Sequence, residues 1–129
     1  MAQQSRRGGF TLIELLVVVV VIGILATLAI PKYAATKDKG KLASIRSDLR
    51  NIMTAQEAYW ADHTTFATLA ALQASTNFTF STGNSAAISA TNSGYTATVS
   101  NSSITSTLDE CTVSVGGTAG TTDGQIICS

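Results

Sequence analysis

From Phe10 to Ile30 the chain runs for 21 residues with a single ionisable side chain, Glu14. No other feature limits the possible folds so strongly. Val17 to Val21 are β-branched and would favour a strand in water, but an open strand in lipid leaves its backbone groups unpaired. A run this long and this apolar therefore predicts a helix, about 31 Å from end to end, which matches the hydrocarbon core of a bilayer. Glu14 is out of place in it. A charge at the centre of such a helix costs on the order of 2.5–3.5 kcal/mol on insertion scales, and less near an end. The plain reading is that Glu14, close to the helix start, snorkels to the headgroups.

Residues 1–9 are polar and basic, with Arg6 and Arg7 followed by Gly8 and Gly9. They precede the apolar run as the basic region of a signal peptide would, although the run is too long for an ordinary cleaved one. Pro31 lacks a backbone donor and is expected to kink or loosen the helix, and Gly40 marks a second soft point. Beyond Pro31, Leu42, Ile45, Leu49, Ile52, Gln56 and Tyr59 recur at spacings of three and four, with Met53 and Trp60 widening the stripe. Arg46, Asp48 and Arg50 are read as lying off that stripe. The periodicity stops near Asp62-His63-Thr64, so one helix from Phe10 to Asp62 would be about 80 Å long. Its second half is amphipathic and requires a partner surface.

That surface is expected from the remainder of the chain. Residues 64–129 hold 26 Ser or Thr among 66 residues, with short alternating runs at Phe78–Phe80, Tyr95–Val99, Cys111–Val115 and Gln125–Cys128. Asn and Gly clusters separate them, as at Thr82-Gly-Asn84, Asn92-Ser-Gly94 and Gly116-Gly117. These are strand and turn signals, and they predict three or four antiparallel strands. Cys111 and Cys128 are the only cysteines. An even pair in a small, loop-rich region reads as a disulfide formed in an oxidising compartment, the alternative being two buried thiols.

Composition excludes several functions. All eight Lys and Arg lie at or before Arg50, and beyond Thr64 the charged residues are Asp109, Glu110 and Asp123. A C-terminal part without one basic side chain is not expected to bind DNA or RNA directly. The single His63, the absence of a Gly-rich phosphate loop and the lack of a nucleophile–His–acid motif argue against an enzyme, and no cofactor is implied. Two cysteines and a distant histidine do not make a zinc set, and three carboxylates fall short of the oxygens that calcium takes, so no metal is expected. Asn77-Phe-Thr79 and Asn101-Ser-Ser103 match N-glycosylation triplets, which arise often by chance in such sequence. A membrane-anchored binding module would account for the span and the head, but not for Gly9-Phe10 or Glu14.

The order Arg6-Arg-Gly-Gly-Phe-Thr-Leu-Ile-Glu-Leu-Leu-Val resembles the type IV filament superfamily, which comprises type IV pilins and the pseudopilins of type II secretion. The likeness runs to about Tyr33. It implies an α+β fold, in which a long N-terminal helix packs on a small antiparallel β-sheet head. The implied organisation is a leader at 1–9, a transmembrane and polymerisation helix at 10–31, an amphipathic half at 32–62 and a head at 63–129 closed by the cysteine pair. A prepilin peptidase is implied to cut between Gly9 and Phe10 and to N-methylate Phe10. An inner-membrane platform with its ATPase would then lift the subunit, head outside the cytoplasm, into a homopolymeric surface filament. In that filament a neighbour's Glu14 would pair with the Phe10 ammonium, and the helix would soften between Gly23 and Pro31. Lys32, Lys37, Lys39 and Lys41 follow the span and run against simple positive-inside counting; the cleavage motif outweighs that count. The cysteine-closed loop leans the expectation toward a major pilin, with adhesion, twitching motility or DNA uptake as roles and a secretion pseudopilin as the alternative.

Overall fold

The computed structural model describes residues 8–117 and 122–129. The chain divides into two compact units, Met1–Ala35 and Thr36–Ser129. One helix, α1 (Leu12–His63), contributes to both. It ends at His63, where the apolar periodicity stops.

In the first unit α1 continues as helix through Pro31. The proline removes one hydrogen bond, the one that the Thr27 carbonyl would have accepted, and a helix with bonded turns on both sides tolerates that loss. The Thr27 hydroxyl donates instead to the Ile24 carbonyl, at 2.7 Å. The apolar side chains of this unit are exposed: Leu12 at 85%, Ile22 at 60% and Ile30 at 68%. The helix is long and apolar enough to cross a membrane.

The second unit holds the rest of α1, a short helix α2 (Leu69–Thr76) and four strands, β1 (Ser85–Ala90), β2 (Tyr95–Ser100), β3 (Glu110–Val115) and β4 (Ile126–Cys128). Here too α1 passes a residue of low helix propensity, Gly40, without a break. The strands form one antiparallel sheet in the order β1-β2-β3-β4. Register follows the period-two pattern. Ile88, Ala97, Val113 and Ile126 stand side by side across the sheet, as do Ala86, Val99, Cys111 and Cys128. These inward residues pack on Ile45, Leu49 and Ile52 of α1 and Leu72 of α2, all fully buried. The opposite face carries hydroxyls paired across strands, Thr98 with Thr112 at 2.9 Å and Thr96 with Ser114 at 3.1 Å.

Sequence patterning places one strand wrongly and leaves two elements out. Phe78-Thr-Phe80 forms no strand; its rings meet edge to face at 4.9 Å and pack against the core from a loop. The first strand is β1, whose alternation of Ser and Ala gives little contrast between faces. The α2 helix was also unforeseen, although Thr68 caps it and Asn77 closes it in the left-handed region at φ 51°. At the β2–β3 end, Gly116 has φ 84°, and a Cβ there would meet the Ser93 carbonyl oxygen at 2.0 Å. Only glycine fits that crossing.

Two polar side chains of α1 tie it to the head. Asp48, expected off the apolar stripe, is 2% exposed. Its carboxylate accepts bonds from the Ser81 backbone N–H (3.0 Å), the Ser81 hydroxyl (2.9 Å) and the Asn84 amide (2.7 Å). Asn84 in turn accepts from the Asn101 amide, at 2.7 Å. Gln56 makes a two-way pair with the Ala67 backbone, donating at 2.7 Å and accepting at 2.8 Å. A buried polar group is tolerated only when it is bonded in this way.

Candidate assembly site at the start of the long helix

Gly9, Phe10 and Thr11 precede the first helical residue, Leu12. Thr11 and Glu14 form a reciprocal cap. The Glu14 Oε2 accepts from the Thr11 backbone N–H and from its hydroxyl, each at 2.8 Å, while the Thr11 Oγ1 accepts from the Glu14 N–H at 3.3 Å. The first turn of a helix leaves backbone donors without intrahelical partners, and a Thr-x-x-Glu spacing satisfies two of them while placing a negative charge at the positive end of the helix dipole. That spacing, Thr11-Leu-Ile-Glu14, is legible in the sequence, but the apolar context hides it. Glu14 is thus part of the helix start, and not simply a carboxylate reaching for headgroups.

Phe10 is 87% exposed. With Ile13, Glu14, Val17 and Val18 it borders an open apolar hollow on one side of the helix. The arrangement supplies a glycine-flanked entry, an exposed aromatic, a carboxylate one turn away and an uncovered apolar cylinder. Chemically it can offer one counter-charge to a cation that arrives in an apolar setting.

The other candidate residues lie elsewhere. Gly23 and Pro31 are interior positions of α1, and a Cβ at Gly23 would meet nothing within 4 Å. Cys111 and Cys128 are joined by a disulfide across the β3–β4 pair. The three C-terminal acids do not converge: the Asp123 Oδ1 accepts from the Gly116 N–H at 2.7 Å, and the Asp109 carbonyl accepts from the Asn101 N–H at 3.0 Å. Among the described residues no group of three or more His, Cys, Asp or Glu is placed to hold a metal ion. Asn101 is 3% exposed and bonded through its side chain, so it is closed to glycosylation in the folded chain, whereas Asn77 is exposed.

Residues 4–30 match the prokaryotic N-terminal methylation motif family. By this segment the chain is similar to members of the pilin and pseudopilin superfamily. Two similar superfamily members are type II secretion system core protein G of Pseudomonas aeruginosa and of Klebsiella michiganensis. The first is 39% identical over 61 residues, 47% of this chain and 43% of the relative. The second is 40% identical over 68 residues, 53% of this chain and 47% of the relative. A third is the type IV major pilin protein PilA of Myxococcus xanthus, 40% identical over 57 residues, 44% of this chain and 26% of the relative. Each match spans less than half of the relative's length. The superfamily likeness thus extends to proteins named for a pilus and to proteins named for a secretion system.

Proposed function

We propose that this chain is the structural subunit of a helical surface filament, a type IV pilus, and not an enzyme. One observation carries the reading: an apolar helix left uncovered by its own chain begins with an exposed Phe10 and a carboxylate four positions on. In lipid such a helix is satisfied as a single span, and in a filament by other copies of itself. Residues 1–9 are then a leader, 10–31 the membrane and polymerisation segment, 32–62 the amphipathic half and 63–129 the head. A prepilin peptidase hydrolyses the Gly9–Phe10 bond, and the freed Phe10 amine is methylated. The ammonium of one subunit pairs with Glu14 of another, so that two charges that are separately expensive in apolar surroundings enter together. Before assembly the subunit waits in the inner membrane with its head outside the cytoplasm, for the platform and ATPase that raise it.

Within the packed filament the helix loosens between Gly23 and Pro31, where one donor is missing and helix propensity is lowest. A filament reconstruction with unbroken helix across Ile30 and Pro31 counts against that point alone.

The second reading, a major pseudopilin of type II secretion, is favoured by the core protein G relatives. The disulfide-closed C-terminal segment favours the pilus. Imaging and sequencing the surface filaments of the source cell tests the choice. The pilus reading expects this chain as their bulk component, with a mass starting at Phe10 plus one methyl group. A mature N-terminus beyond Ala26 overturns both readings.

A further inference from the structure

One cavity in the second unit is not used by the assembly scheme above. Met53, Glu57 and Trp60 lie on one face of α1, at spacings of four and three. Phe66 follows the helix, and Tyr95 and Val115 are cross-strand partners of β2 and β3. Together they line a cavity of about 310 Å³. Its rings stand in series: Trp60 to Phe66 at 6.5 Å between centroids, and Phe66 to Tyr95 at 5.1 Å. Trp60 remains 47% exposed. Ring faces attract a cation, and a carboxylate at their edge strengthens the attraction. The local field is negative as well. Burial chiefly, then the charges of Glu57 and Asp123, push the Tyr95 hydroxyl up to about 12.

Charge placement indicates what enters. The ion pair within the described residues is Lys41 with Asp38, so Glu57 has no cationic partner there. Lys37 and Lys39 are exposed and likewise have no carboxylate partner among the described residues. Arg46 and Arg50 line a separate cavity with Met53, Gly124 and Ile126.

We propose that the cavity bounded by Trp60, Phe66, Tyr95 and Glu57 receives the ammonium group of Lys37 or Lys39 from a second copy of this chain. The proposal rests on the filament reading and names a contact within it. Lys39 and Glu57 are 18 positions apart on one helix, about 27 Å, so no lysine of that stretch reaches the cavity of its own chain. The contact joins unlike patches on successive copies. Such a heterologous contact, repeated with a rotation that does not close a ring, builds an open helical array. It also gives the lysines that follow the span a use outside the membrane.

Photo-crosslinking in cells tests it, with a benzophenone amino acid replacing Trp60 in the full chain and filaments counted in the same culture. The expected product is a dimer whose crosslinked peptide contains Lys37 and Lys39. Glu57→Lys should lower its yield about fivefold, the factor expected for an exposed cation–π and ion-pair contact, and Lys37→Glu with Lys39→Glu should restore part of it, the ion-pair share. Abundant filaments with a crosslink to another segment, to another protein or to none overturn the inference and leave the filament reading standing. A yield unmoved by the charge exchange does the same. Cells that express the chain but build no filament from it overturn both.

Discussion

The Glu14 carboxylate holds the Thr11 backbone N–H and the Thr11 hydroxyl through one oxygen, each at 2.8 Å. The residue proposed to bind a neighbour's ammonium therefore also starts its own helix. Its second oxygen accepts no bond among the described residues, so the two roles are compatible.

Thr11→Ala and Glu14→Ala separate these roles. Loss of an N-cap costs about 1 kcal/mol of helix stability, so Thr11→Ala should fray the first turn yet keep the carboxylate and most filaments. Glu14→Ala should leave membrane insertion and Gly9–Phe10 cleavage intact but abolish assembly, because an ammonium buried without a partner costs roughly 3–5 kcal/mol at every subunit. Mass spectrometry of membrane-held subunit and electron microscopy of filaments read the outcome. Equal loss of filaments in both variants would assign Glu14 to capping alone.

Asp48→Ala should destabilise the head by about 1–3 kcal/mol in all, since the donors it leaves unpaired are partly buried. The donors are the Ser81 N–H, the Ser81 hydroxyl and the Asn84 amide. Asp48→Asn keeps one acceptor oxygen and should cost less. Urea unfolding followed by circular dichroism gives the ranking, and equal midpoints for Asp48→Ala and the parent would show the network to be dispensable.

Removing the Cys111–Cys128 bridge by a double Ala substitution should lower stability by about 3 kcal/mol, the loop-closure value for cysteines 17 positions apart. Cys111 is fully buried and Cys128 partly so; the native protein should resist thiol labelling until it is reduced, and Cys111 until it is also unfolded. Labelling of either cysteine in the untreated protein would count against the bridge.

Tyr95 predicts an alkaline limit. Its hydroxyl is pushed from 10.0 up to about 12, by burial first and then by the charges of Glu57 and Asp123. A raised pKa means that the folded state keeps a proton the unfolded state gives up. The group's contribution is complete below pH 10 and is lost as pH rises from 10 toward 12. Stability measured across that range should fall less in Tyr95→Phe than in the parent, and one tyrosine should titrate late by ultraviolet absorbance.

The apolar run, the basic residues before it and the Gly9-Phe10 to Glu14 order are contiguous features, and the sequence by itself determined them. Helix period carried the end of α1 to Asp62, one residue short of His63, and strand period located β2, β3 and β4, because each element buries one face and so repeats along its own length. Tertiary structure decided the rest. Asp48 looks like a surface charge until Ser81 and Asn84, 33 and 36 positions away, bring their donors to it. Phe78 and Phe80 alternate like a strand, but they pack on each other and on the core from a loop. β1 has weak contrast of its own and exists because β2 supplies its hydrogen bonds. Burial of a polar group and pairing of a strand depend on partners distant in the chain, and local pattern holds no record of those partners.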